Sequence, residues 1–474
     1  REVVLRNFRQ PNTVEVIEGY ARTDALNRIG NRVFAIDANR FDNYAAVDAP
    51  VNYPHIWTTS WFKWVQYDAS IMQPLFRNLG EALGVYANVG LDAPSEEGRF
   101  FSAVPLENLV WLEDWLKGPQ NPSIDQEFNG LLAPDWPDQF PPINMTRAAQ
   151  GEVLYKEMCV RCHLPPINGQ LTDNLGQPVN EPDFFEDTIW NHFEPIQWWV
   201  GDQPQPESEP VLNLRVIPID VVGTDPATGE VLATRKVNSA GFAGGVTAES
   251  TLGMEIDELV CAWEPQAPES PWESMGQAGS PSPNQPLTDG ASAGAQPQPR
   301  LVGTRVSDNP NGLYSLLLGS LVQAVANQWF LKNDYPDEVK LQMMGNRPNC
   351  FQAGKGYKAR PHDGIWATAP FLHNGSVPTL WDLLSPVEDR PKYVLLGDIE
   401  FDVEKVGLVQ PENFQPRSGN KYDRSGYFVL DTSIPGNLNI GHEFRGDGSG
   451  GKGVIGRGLS DAERMDLIEY LKTL

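Results

Sequence analysis

The stretch "LYKEMCVRCHLPP", residues 154–166, contains Cys159, Cys162 and His163 as a C-x-x-C-H pentad. Two thiols three positions apart can each bond one vinyl group along the edge of a haem. The imidazole that follows then lies under the iron as an axial ligand. A zinc half-site would need further Cys or His at matching spacing, and none is near. A thioredoxin-like Cys pair would need a βαβ frame, whereas this motif follows a helical pattern, "RAAQGEVLYKEM", with Thr146 as its N-cap. We therefore read the pentad as the attachment site of a covalent c-type haem. Gly151 is small enough for a close helix crossing. The amphipathic C-terminal segment "LSDAERMDLIEYLKTL" is its expected partner, opened by a Ser460–Glu463 capping box and carrying Leu467, Ile468, Leu471 and Leu474 on one face.

Haem of this type is attached on the oxidising side of a bacterial membrane, so a periplasmic, exported or cell-surface protein is expected. In that compartment the two remaining cysteines, Cys261 and Cys350, are expected to pair. The chain begins at Arg1 without a Met or signal peptide, which reads as a processed, trimmed or fragmentary sequence. Its longest apolar stretch, "LYSLLLGSLVQAVANQWFL" at 313–331, carries Gln323, Asn327 and Gln328 and reads as a core helix rather than a transmembrane segment. Lys plus Arg number 36 against 62 Asp plus Glu, a net charge of −26 that argues against nucleic acid as a partner.

The patterning predicts a mainly α protein with long loops. Residues 1–118 read as mostly helical, 119–142 as a Pro-rich linker, and 143–474 as a second domain with a large insertion at about 170–340. Within the insertion, "VLNLRVIPIDVV" and "EVLATRKV" flank "GTDPATG" and read as a small β-hairpin; 264–300 reads as a mobile surface loop.

Several segments resemble the bacterial di-haem cytochrome c peroxidase superfamily, and among its branches the rubber oxygenases and related di-haem oxidoreductases. They are "RTDALNRIGNRVFA", "DAPVNYPHIWTTSWFKWVQYDAS", "RNLGEALGVYA", "CVRCHLPP", "YKARPHDGIWATAPFLHNGSVPTLWDLLSPVEDRP" and "GHEF" with the C-terminal helix. The resemblance implies two cytochrome c-like domains, one haem activating H2O2 or O2 and the other handling electrons. It places the electron-transfer haem at His163 and the reactive haem near residues 50–85, where Trp57, Trp61 and Trp64 line a pocket. A first C-x-x-C-H is absent from this chain. Residues 1–118 therefore look like the remainder of a haem domain, and the second haem is expected on a polypeptide preceding Arg1 or on a separate subunit.

The same resemblance assigns further roles. Among sixth ligands for the His163 iron, His442 in "NIGHEF" ranks ahead of His373, because no Met lies between His373 and Met465 to serve as in the peroxidases. His373 otherwise packs near the haem. Glu81 matches the carboxylate that moves a proton during O–O cleavage. An electron-donor protein is implied, and a Ca2+ between the domains is compatible with the acidic surplus. The activities carried forward are peroxide reduction and dioxygenase cleavage of an apolar substrate. The rival is a non-enzymatic single-haem carrier or scaffold.

Overall fold

A computed structural model describes residues 16–91, 95, 97–123, 128–167, 171–172, 177–180, 184–200, 203–238, 261–262, 311–351, 355–412, 414–416 and 421–474. Its longer helices are α1 (Pro74–Gly84), α2 (Leu106–Lys117), α3 (Met145–Met158), α4 (Tyr314–Lys332) and α5 (Asp461–Leu471). Helix outweighs strand, 35% against 14%, so the expectation of a mainly α protein holds only loosely. Every sheet among the described residues is two-stranded.

The expected hairpin at 211–237 does not form. Val216–Pro218 is a strand, but it pairs antiparallel with Gly356–Lys358. Ile219–Val222 and Ala227–Thr234 are helical, and Lys236–Asn238 pairs with Asn311–Leu313. Pro226 precedes the first helical residue of Ala227–Thr234, where the missing N–H costs nothing. The Asp-Pro-Ala-Thr-Gly run thus starts a helix instead of turning a hairpin. Cys261 and Cys350 face one another in a parallel pair, and Cys350 is disulfide-bonded, as the sequence suggests. The 264–300 stretch lies outside the described residues.

Two large apolar cores organise the chain. The first packs Leu26, Phe34, Leu75, Leu79, Leu83 and Leu106 against Leu232, Leu318, Val322, Val325 and Phe330. The 313–331 segment is therefore a core helix, and no helix among the described residues is long and apolar enough to cross a membrane. Each large aliphatic side chain it buries contributes about 1.5–3 kcal/mol. Helix α4 and residues 227–237 were expected to belong to an insertion in the C-terminal domain, yet they complete the core of the N-terminal region. The expected linker is not free either, since Trp136 and Phe140 pack edge-on against Trp366.

The second core is built on the crossing of α3 and α5. Asn144, rather than Thr146, caps α3, its carboxamide oxygen accepting from the Arg147 N–H. Ser460 and Glu463 form the expected capping box on α5. The helices meet at Gly151, where an added Cβ would lie 2.0 Å from the Asp466 carbonyl oxygen. Tyr155 and Tyr470 pack beside that point, ring centroids 5.2 Å apart. Leu467, Ile468, Leu471 and Leu474 are all buried.

Gly80 on α1 is the contrasting case, because its added Cβ would rest 3.7 Å from Val322, an ordinary contact. Gly80→Ala is predicted to raise stability by about 0.5–1 kcal/mol through helix propensity. Gly151→Ala is predicted to lower it by about 1–3 kcal/mol through overpacking. Thermal denaturation of the two variants checks this, and equal midpoints would refute the close crossing.

Candidate haem site

Helix α3 delivers the pentad. After Met158, Cys159 keeps a right-handed helical backbone and Val160–His163 adds one turn, which Leu164 ends at φ 65°. The His163 N–H donates to the Cys159 carbonyl at 2.9 Å, so both cysteines and the histidine project from a single turn. Cys159 and Cys162 are free thiols. Burial pushes the Cys159 thiol up to about 12 and raises Cys162 as well, partly opposed there by the Arg161 and Arg215 cations. Two free thiols at this spacing would supply net S–H addition across the vinyl groups of a haem, sulfur bonding one carbon and the other gaining hydrogen.

His163 is held from behind by a 2.7 Å hydrogen bond between Nδ1 and the Arg360 carbonyl oxygen. A carbonyl can only accept, so Nδ1 carries the proton and Nε2 keeps its lone pair for a metal. Two more imidazoles converge on the same place. His362 stacks on His163 with centroids 3.8 Å apart, and His442 stands edge-on to it at 6.2 Å. All three are half-buried, although protein atoms surround each of them, as for side chains lining a deep recess. Burial holds His163 down to about 4 and His442 to about 3, and places His362 well below the ordinary histidine range. The cluster is neutral at pH 7, the state in which an imidazole ligates.

The Nδ1 atoms of His362 and His442 are buried without a hydrogen-bond partner among the described residues. Orphaned ring nitrogens beside paired free thiols fit a haem site. No group of three or more His, Cys, Asp or Glu among the described residues is set to hold a metal ion by itself. A haem brings its own four nitrogens and asks the protein for only one or two axial ligands. The same observation leaves the expected Ca2+ without a ligand set among those residues.

The other expected site residues lie elsewhere. His373 is buried and stacks on Tyr357 at 4.0 Å, with Tyr67 edge-on at 6.3 Å. Tyr357 and Tyr67 belong to the apolar cluster that includes Cys162, so His373 packs behind the thiol edge and not against the three imidazoles. Glu81 is half-buried on α1, its Oε1 accepting from Gln66 Nε2 at 2.8 Å. The three tryptophans do not form one stripe. Trp57 stacks on His55 and donates to the Asp363 carbonyl at 2.7 Å. Trp61 donates to the Lys117 carbonyl, and Trp64 joins a separate cluster with Ile196 and Trp198. His192 pairs with Asp187 at 2.6 Å.

His362 and Arg360 were not singled out by the sequence, where His362 reads as one more structural histidine. The available signal was the pairing of "RPHD" with the pentad, but their hydrogen bond spans 197 residues and has no local trace.

Residues 356–394, which include Arg360, His362, His373 and Arg390, match the family model described as RoxA-like, cytochrome c-like. The uncharacterised protein y4iJ of Sinorhizobium fredii is 38% identical over 460 residues, covering 96% of this chain and 60% of y4iJ. Another uncharacterised protein of that organism, y4iM, is 41% identical over 131 residues, or 26% of this chain and 28% of y4iM. The chain thus spans about 60% of the length of y4iJ. A RoxA-like, cytochrome c-like region implies a covalent c-type haem with its iron.

Cys159, Cys162 and His163 are placed to hold that group. Cys159→Ser with Cys162→Ser is predicted to abolish haem staining on a denaturing gel, with each single variant keeping one thioether at reduced yield. Intact mass reports the same quantity, and a haem adduct surviving in the double variant would contradict the assignment.

Proposed function

We propose that this chain is part of an exported c-type haem oxidoreductase of the di-haem peroxidase type, with its electron-transfer haem held between His163 and His442. The single observation that carries the reading is the pair of neutral imidazoles 6.2 Å apart, one fixed from behind through Nδ1 and the other with an orphaned Nδ1. When bound, such a haem supplies one-electron transfer. Two imidazoles give it a lower potential than a His/Met pair and leave no open position for substrate. His163 and His442 hold it, the two thiols anchor its edge, and the apolar residues around Cys162 exclude water. Export is supported by the chemistry of haem attachment and by the disulfide at Cys350.

In this reading, substrate chemistry takes place at a second haem near residues 50–85. Glu81, oriented by Gln66, moves the proton as either H2O2 is reduced or O2 is activated for cleavage of an apolar substrate. That haem is carried by a second polypeptide, and an electron-donor protein supplies the electrons. The support is the outward apolar face of α2, where Trp111 is 62% and Trp115 61% exposed.

One observation favours the rival single-haem carrier. A haem pocket near residues 50–85 left without its haem would expose its aromatic wall, but Trp61 is only 1% exposed and Phe62 and Trp64 are also buried by the chain itself. Trp61 packs edge-on against Phe128 and Phe193.

His442→Ala is predicted to turn a low-spin ferric spectrum at least partly high-spin, and a spectrum unchanged at every pH would remove His442 as ligand. Native material is predicted to contain two haems per particle, the second on a separate haem-stained band. One haem on one band of this chain's mass would establish the carrier instead.

A further inference from the structure

The turn that presents His442 adopts an unusual backbone. Gly441 has φ 69° and His442 φ 46°, both left-handed. Glycine accepts this conformation readily, whereas a residue with a Cβ needs the surroundings to impose it. One side of the turn is wedged against the backbone at 222–224. The His442 N–H donates to the Val222 carbonyl at 2.8 Å, and a Cβ added at Gly441 would fall 2.3 Å from the Gly223 carbonyl carbon.

The other side is held by one side chain. Arg390 is 5% exposed, and its guanidinium forms no ion pair among the described residues. It donates instead to four carbonyl oxygens. Nη1 reaches Asn439 at 2.6 Å and Gly441 at 2.9 Å; Nη2 reaches His442 at 3.0 Å and Leu383 at 3.1 Å. Three of these four belong to the turn itself. They converge on one planar fork only while Gly441 and His442 keep their left-handed conformation. The neighbouring carboxylates are engaged elsewhere, Glu443 with the Val387 N–H and Arg445, and Asp382 with Thr379. A lysine in this place would keep the charge but not the fork that spans all four oxygens.

We propose that Arg390 is the positioning residue for His442: its guanidinium templates the 439–442 turn and so aims the imidazole at the haem iron. This rests on the reading of His442 as an axial ligand. Removing the fork leaves the two cores intact, since neither is built on this turn. It lets the imidazole withdraw, which opens the coordination position to small exogenous ligands.

The test compares ferric optical and EPR spectra of the purified holoprotein and of His442→Ala, Arg390→Ala and Arg390→Lys. Arg347→Lys is the control, because Arg347 is another buried arginine on carbonyl oxygens, those of Ser60 and Phe62. The expected result is a loss of low-spin signal in Arg390→Ala approaching that of His442→Ala, with a smaller loss in Arg390→Lys. Added free imidazole restores the signal in all three, and Arg347→Lys stays low-spin throughout. If His442→Ala becomes high-spin while both Arg390 variants remain fully low-spin, the positioning role is wrong and the axial assignment stands. If His442→Ala itself remains low-spin, the axial assignment fails and takes the proposal with it. Should Arg390→Ala fail to accumulate, Arg390→Lys decides alone: an unchanged low-spin spectrum overturns the proposal.

Discussion

The hydrogen bond from His163 Nδ1 to the Arg360 carbonyl is the constraint on which the site depends. Taken alone it is worth about 0.5–1.5 kcal/mol. Its importance is geometric, because it fixes the tautomer and ring plane of the pentad histidine from a segment 197 residues away. The same residue looks the other way with its side chain. The Arg360 guanidinium donates to the carbonyls of His55 and Trp57 and to the Thr59 hydroxyl. Trp57 completes the arrangement by donating to the Asp363 carbonyl, and Asp363 accepts from the Ile167 N–H just after the pentad. Residues 360–363 therefore tie the N-terminal loop at 55–59 to the back of the His163 ring.

Around this wall the chain builds the site from segments far apart in sequence. The α3–α5 crossing supplies the pentad's helix, 356–363 supplies the backing segment, and 439–444 supplies the facing imidazole. Val216–Pro218, extended by Ile219–Val222, links them, pairing with Gly356–Lys358 on one side and meeting the His442 turn on the other. Arginines recur at these joints without ion pairs among the described residues. Arg390 and Arg347 each spread their charge over several carbonyl oxygens, as Arg360 does over the 55–59 loop. Carbonyl dipoles can satisfy a guanidinium fork, whereas an isolated buried ammonium has fewer ways to recover its lost hydration. This explains how an acidic protein keeps these cations inside.

What the sequence determined by itself is local or periodic. The C-x-x-C-H pentad is chemically specific at a spacing of three to four residues, and the structure leaves its thiols free as that reading requires. The Ser460–Glu463 box and the face of Leu467, Ile468 and Leu471 are short-range signals written in helical period. Gly151 was legible because a close crossing demands a missing side chain. The 313–331 segment was legible as a core helix because its polar residues interrupt the apolar run.

Only the tertiary structure decided the rest. Val216–Pro218 carries a strand-like pattern, but its partner at 356–358 lies beyond any turn that sequence could show, so the local hairpin was the wrong pairing. Apolar periodicity says that 227–237 and 314–330 are buried without saying in which core. Trp57, Trp61 and Trp64 look like one stripe, yet the irregular backbone between them turns each toward a different neighbour. His362 reaches His163, and Arg390 donates to the His442 turn, only after folding has brought segments far apart in sequence together. Such contacts are fixed by the summed packing of the whole chain, and no spacing within a short segment encodes them.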